Sequence, residues 1–190
     1  MLVTFLGAPC SGKTTTAARV FADIQDAGYP AEFIAEQARL YIAKLRYACK
    51  QGGFEFKLTD GEQCRIMQGQ LVAEQVFSSE KSLITITDSS VLNGMLYLQA
   101  EHLRNLQEGV VKTEANLVSV AFLCYPVKAP LMADPNRVHS EEESLKLHDS
   151  LKGLIEKYYS GVRVVPLVGD PNYRHREAMR AIYDELLEGK

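Results

Sequence analysis

Residues 2–6 (LVTFL) are apolar apart from Thr4, the composition of a buried strand, and a helical period takes over soon after them. Ala17, Val20, Phe21 and Ile24 recur at i, i+3, i+4 and i+7, and Gly28 stands where such a helix would stop. A second short strand is predicted over 31–35 (AEFIA), followed by a helix whose apolar face is Ala38, Tyr41, Ile42, Leu45 and Cys49. Gly52-Gly53 and the alternating Phe54-Glu55-Phe56 break that helix, so 51–60 reads as a loop on the substrate side. The polar-rich stretch 61–79 reads as a helix with Arg65, Gln68, Gln70 and Glu74 facing water or a pocket. Third and fourth strands are expected at 82–87 (SLITIT) and 116–123 (NLVSVAFL), with a helix over 91–103 between them. Leu147, Leu151, Leu154, Ile155 and Tyr158 mark another helical stripe. A fifth strand at 162–168 contains Pro166, which demotes it to a sheet edge, and a turn at 169–172 leads to a last amphipathic helix over 174–187. Strands alternating with helices place the chain in the α/β class.

The junction of the first strand and helix carries the chemistry. Gly7-x-x-x-x-Gly12-Lys13-Thr14 is a phosphate loop, in which glycines let the backbone curl so that successive N–H groups cradle a phosphate at the positive end of a helix. Gly7, Ala8, Pro9, Cys10, Ser11, Gly12, Lys13, Thr14 and Thr15 are the expected nucleotide-binding residues. Lys13 would reach the β- and γ-phosphates, and the Thr14 hydroxyl would bind Mg²⁺.

Two acids stand at the ends of predicted strands. Asp88 follows the third strand, the position from which an aspartate holds Mg²⁺ through water or Thr14; capping the helix at 91 is the competing role. Glu36 follows the second strand with Arg39 one turn on, at the edge where open α/β sheets bind ligands. Residues 125–143 are irregular, with Pro126, Pro130 and Pro135, Lys128, Asp134, Arg137 and three consecutive glutamates, and read as a mobile cover. Arg137 is the candidate cation such a lid would bring to a transferring phosphoryl group.

Length and composition narrow the setting. The 190 residues, 46% of them hydrophobic, suit one domain over 1–190 with its lid inside it, and that core needs no disulfides. The four cysteines have no C-x-x-C spacing and the four histidines no metal-ligand spacing, so a reducing, cytoplasmic setting is expected without a zinc site. No apolar run approaches the ~18 residues of a membrane span, and no secretory signal is expected. A net charge of −3 advertises no nucleic-acid partner, although a local basic groove is compatible with it.

Three stretches together carry a resemblance: GAPCSGKTTTAA at 7–18, FIAEQARLYI at 33–42 and LITITDSSVL at 83–92. The chain resembles the P-loop kinases of the AAA_28 family and the ribosylnicotinamide kinase domain of NadR-type proteins. That resemblance implies a three-layer α/β/α P-loop fold with a five-stranded parallel sheet, and ATP and Mg²⁺ as cofactors. It implies transfer of the γ-phosphate to a hydroxyl of a nucleoside-like acceptor, nicotinamide riboside first. By position, Lys13, Glu36, Asp88 and Arg137 would be the catalytic set, with Glu36 as base. Glu36, Arg39, Gln70 and Asp88 would face the acceptor, and Thr14 and Asp88 the metal. Where the family's lid commonly reads acidic-Gly-x-Arg, this chain has Asp134-Pro135-Asn136-Arg137. Two alternatives stay open: a phage-type kinase acting on a hydroxymethylated pyrimidine in DNA, and an ATP-hydrolysing switch or motor subunit with no small acceptor. The number of subunits stays open too.

Overall fold

The computed structural model describes residues 1–80, 83–126 and 140–188. Five parallel strands, β1 (Leu2–Leu6), β2 (Ala31–Ile34), β3 (Ile84–Thr87), β4 (Val118–Cys124) and β5 (Arg163–Leu167), form one sheet in the order β2-β3-β1-β4-β5. β1 pairs β3 through Leu2↔Thr85 to Thr4↔Thr87, and β4 through Leu2↔Val118 and then Val3↔Val120. The extra residue in β4, Ser119, shifts its inward and outward positions relative to β1.

Alternation along the strands builds two cores. Leu2 and Leu6 pack with Val118, Ala121 and Leu123 beneath α3 (Asp60–Ser78), α4 (Val91–Gly94), α5 (Glu101–Ala115) and α6 (Glu141–Tyr158). Val3 and Phe5 pack on the opposite face with Val120, Phe122 and Cys124 beneath α1 (Lys13–Asp26) and α7 (Pro171–Glu188). The expected three-layer parallel architecture is the one observed. Pro166 sits in β5, which among the described residues pairs with β4 alone, so the missing N–H costs no ladder bond on the open side.

The helix ends differ from the sequence reading, each for a local reason. α2 runs Gln37–Gly52 and closes on Gly53 in the left-handed conformation (φ 70°). α3 begins at Asp60 because Thr59 and Glu62 form a reciprocal capping box. The single helix expected over 91–103 is broken: α4 passes into a 3₁₀ turn at Met95–Tyr97, and α5 starts afresh at Glu101. The break is held by Asp60, whose carboxylate accepts the N–H groups of Gln99 (3.0 Å) and Ala100 (2.7 Å). Ser90, rather than Asp88, caps α4 by accepting the Leu92 N–H at 2.9 Å. The glutamates at 141–143 open α6, where Ser140 and Glu143 form a second capping box. The expected turn at 169–172 already contains the first residues of α7: the Asp170 carboxylate accepts the N–H groups of Asn172 and Tyr173, and Pro171 takes the first helical position. No helix among the described residues is long and apolar enough to cross a membrane.

Candidate active site at the carboxyl edge of the sheet

Because every strand runs the same way, the segments leaving β1, β2 and β3 share one edge. The phosphate loop lies there between β1 and α1, Glu36 between β2 and α2, and Asp88 directly after β3.

Three residues of the loop have positive φ: Gly7 (152°), Cys10 (67°) and Gly12 (81°). At Gly7 a Cβ would lie 2.5 Å from Ser11 Oγ and 2.8 Å from the Cys124 carbonyl oxygen, so glycine is required by space as well as by conformation. Cys10 holds the left-handed conformation without being glycine, a strain on the order of 1 kcal/mol that the surrounding contacts must sustain. The Lys13 ammonium donates to the carbonyls of Gly7 (2.9 Å) and Ala8 (3.1 Å), which places its charge over the loop. α1 has no acidic residue in its first turn and no side-chain cap, so the positive end of its dipole is left for an anion.

Side chains from three other helices brace the loop. Asn93 of α4 donates to the Gly7 carbonyl at 3.1 Å, Ser144 of α6 to that of Pro9 at 2.7 Å, and Arg174 of α7 to that of Ser11 at 2.7 Å. Arg174 is 2% exposed and also donates to the Gly169 carbonyl, and burial lowers its pKa. Each brace occupies a carbonyl oxygen, the negative end of a peptide dipole. The sequence reading missed all three, since nothing local marks one polar residue on an amphipathic helix as the partner of a loop up to 163 positions away.

Asp88 is 3% exposed, and its own N–H donates to the Ile34 carbonyl at 3.0 Å, tying the end of β3 to the end of β2. Burial raises its carboxyl pKa to about 6, against the opposing pull of a hydrogen bond from Thr14 and the charge of Lys13; Glu36 adds to the rise and Arg39 subtracts. Thr14, Lys13, Glu36 and Arg39 therefore all act on this one carboxyl group. Its Oδ1 is buried without a hydrogen-bond partner, and a hydroxyl stands beside the group. An orphaned buried carboxylate oxygen next to a threonine hydroxyl suits a hard divalent cation. Among the described residues no three His, Cys, Asp or Glu side chains gather around a point, so such a cation would complete its shell with phosphate oxygens and water, as Mg²⁺ does.

Glu36 is half-buried and pairs with Arg39 across 3.6 Å. Tyr97, which the sequence reading did not single out, lies in the same neighbourhood: burial raises its pKa to about 12, and the proximity of Glu36 and Cys10 pushes the same way. Gln70 is 3% exposed and its amide is engaged by the protein, donating to Glu74 (2.8 Å), the Thr87 hydroxyl (2.8 Å) and the Ser89 carbonyl (3.2 Å). It braces the strand end that carries Asp88. Arg137 and most of the expected lid, residues 127–139, lie outside the described residues.

Solved structures with the same fold include a NadR protein in complex with NR (20% identity, TM-score 0.70) and one in complex with NAD and AMP-PNP (19%, 0.67). The alignments cover 97% of this chain and 51% and 49% of those, so the chain spans about half the length of the NadR chains. Thymidylate kinase from Candida albicans is similar at 13% identity and a TM-score of 0.58, over 96% of this chain and 91% of that one. No curated protein matches the sequence. The profile of AAA_28, described as an AAA domain, matches residues 2–174, from the first strand to the arginine that braces the phosphate loop. By that match over nearly its whole length, the chain belongs to the AAA_28 family.

Proposed function

We propose that the protein is an ATP-dependent kinase that transfers a γ-phosphate to a hydroxyl of a small nucleoside-like acceptor, with nicotinamide riboside the first candidate. The observation that carries the reading is the convergence on Asp88: the Thr14 hydroxyl and the Lys13 ammonium from the segment after β1, and Glu36 from the segment after β2, all act on the one buried carboxyl group after β3. The same-fold NadR structures, one with NR and one with NAD and AMP-PNP, support this choice of ligands.

In this mechanism Gly7 to Thr15 hold the triphosphate, and Lys13 stabilises the negative charge spread over the transferring group. Thr14 and Asp88 would hold Mg²⁺, which would supply neutralisation of the phosphate charge. Glu36, held by Arg39, orients the acceptor hydroxyl and takes its proton as the acceptor oxygen bonds to phosphorus and the bond to the β-phosphate oxygen breaks. Arg137, outside the described residues, is the proposed cation for the transferring phosphoryl group.

The test is incubation with ATP, Mg²⁺ and a panel of nucleosides, mononucleotides and hydroxymethylated DNA, with product masses as the readout. A nucleoside gaining one phosphate is the expected result. ATP hydrolysis that no acceptor accelerates would replace this reading with a nucleotide switch, and phosphate appearing on DNA would move the acceptor there. Glu36→Gln is expected to abolish transfer with ATP affinity nearly intact; parallel loss of both would make Glu36 structural.

A further inference from the structure

Beneath the segment that joins Asp88 to Asn93, two acids from different helices meet in full burial: Glu74 of α3 and Glu114 of α5, each 0% exposed. Glu114 accepts the N–H of Val91 on Oε1 (2.7 Å) and that of Leu92 on Oε2 (3.0 Å), and the hydroxyls of Ser90 and Tyr159 also bond to it. Glu74 accepts from Gln70 on Oε1, while its Oε2 meets no donor and its carboxyl stands within hydrogen-bonding reach of Glu114. Two ionised carboxylates are strongly disfavoured in such a site, because full burial removes the screening of bulk water.

The donors decide which acid is charged. Both Glu114 oxygens face N–H groups, so Glu114 is the natural anion; the oxygen without a donor is on Glu74, where a proton would turn it into a donor to Glu114. We propose that Glu114 is a positioning residue that fixes the Asp88–Asn93 segment, and that Glu74 carries the proton that lets the two buried acids coexist. The segment is then held in its middle by Glu114, at one end by the Asp88 N–H on Ile34, and at the other by Asn93 on Gly7. Glu114 thereby sets how the Asp88 carboxyl stands relative to the phosphate loop. This functional part rests on Asp88 being the metal-side acid; the proton assignment does not.

The electrostatics agree with the donor pattern. Burial raises both acids, Glu74 well above its ordinary value and Glu114 only to about 7, because backbone and hydroxyl donors stabilise the Glu114 anion. Tyr159, just past the end of α6, also faces the pair; its own pKa is raised by burial and by the charge of Glu114, so it stays a neutral donor. Among the described residues, Glu74 on α3 and Tyr159 beyond α6 are titratable groups that face Glu114.

Three measurements on the full chain test this. Infrared spectroscopy at mildly alkaline pH is expected to show a protonated-carboxyl C=O band in the wild type that vanishes in Glu74→Gln. Deuterium uptake in the 88–93 segment is expected to accelerate in Glu114→Gln, whose amide puts an NH2 donor in place of one of the two accepting oxygens, and to stay at the wild-type rate in Glu74→Gln, whose amide can donate to Glu114 as the acid did. The Mg²⁺-dependent affinity for a fluorescent ATP analogue should fall roughly 10-fold or more in Glu114→Gln, the scale of loss when a supporting partner of a metal ligand is removed. It should stay near wild type in Glu74→Gln. Should Glu114→Gln fail to fold, Glu114→Asp keeps the charge, withdraws the oxygens by one methylene and takes the same readouts. A band that survives Glu74→Gln overturns the proton assignment, and unchanged uptake and metal-dependent affinity in the Glu114 variant overturn the positioning role. If the wild type binds no ATP analogue, the kinase reading falls while the infrared and exchange results still decide the pair.

Discussion

At the scale of single residues, the phosphate loop separates groups that shape it from groups that would act through it. Gly7 shapes it, since any side chain there meets Ser11 Oγ and the Cys124 carbonyl. Lys13 does not: among the described residues its ammonium bonds to two loop carbonyls from a partly exposed position, and losing such bonds costs about 1 kcal/mol. Lys13→Ala is therefore expected to melt close to the wild type while losing at least ~10²-fold in phosphoryl transfer, because the missing charge matters most when the phosphate oxygens carry theirs. Turnover and thermal melts on the same preparation check this, and a variant that transfers phosphate at near-normal rates would remove Lys13 from the mechanism. This part of the site was legible in the sequence because its geometry is local: two glycines, a lysine and a threonine at fixed spacing, between an apolar run and a helical period. Asp88 and Glu36 were legible for a related reason, since parallel strands put their carboxyl ends on one edge and an acid just after a strand must stand there.

Elements show where that legibility ends. α3 carries Gln63, Gln70 and Glu74 in full burial, although its sequence reads as a polar helix whose side chains face water or a pocket. Periodicity records which faces are apolar, and a polar residue whose partners come from other elements leaves no trace in it. The same limit hid Asn93, Ser144 and Arg174, and it hid the Asp60 carboxylate that ends one helix and starts another across forty positions. α3 is attached to the site by a polar strut: one Gln70 amide nitrogen serves Glu74, Thr87 and Ser89, and the Gln37 N–H at the start of α2 donates to its oxygen at 3.4 Å. Gln70→Leu keeps the bulk but strands buried acceptors on both α3 and β3. Each such group left without a partner costs ~1–3 kcal/mol, so the variant should lose at least about 2 kcal/mol in denaturant unfolding. A loss within experimental scatter would mean that the strut is dispensable and that Gln70 is free to serve a ligand.

For the whole molecule, the buried acids make folding itself depend on pH, and the dependence can be isolated. Glu74 has its carboxyl pKa raised in the fold, so it binds a proton there that the unfolded chain releases above about 4.5. A raised carboxyl contributes stability that is present below the unfolded value and is lost as pH rises toward the folded one. Other groups overlap this range: burial raises Glu114 and Asp88 in the same direction, whereas burial of His148 lowers its pKa and makes stability fall as pH drops below about 6.5. The Asp88 and His148 contributions are common to the wild type and Glu74→Gln and cancel in their difference. That of Glu114 cancels with them when its neighbour is uncharged in both, as a protonated Glu74 and a glutamine are, leaving one proton. Relative to the wild type, Glu74→Gln should therefore gain about 1.4 kcal/mol per pH unit above about pH 5, until the folded Glu74 itself ionises. Denaturant unfolding of both proteins across pH 5 to 8, without nucleotide or metal, reads that slope directly. A flat difference would mean that Glu74 is already ionised in the folded protein. The proton would then belong to Glu114, and the backbone of the Asp88–Asn93 segment would rest on a neutral acid instead of an anion.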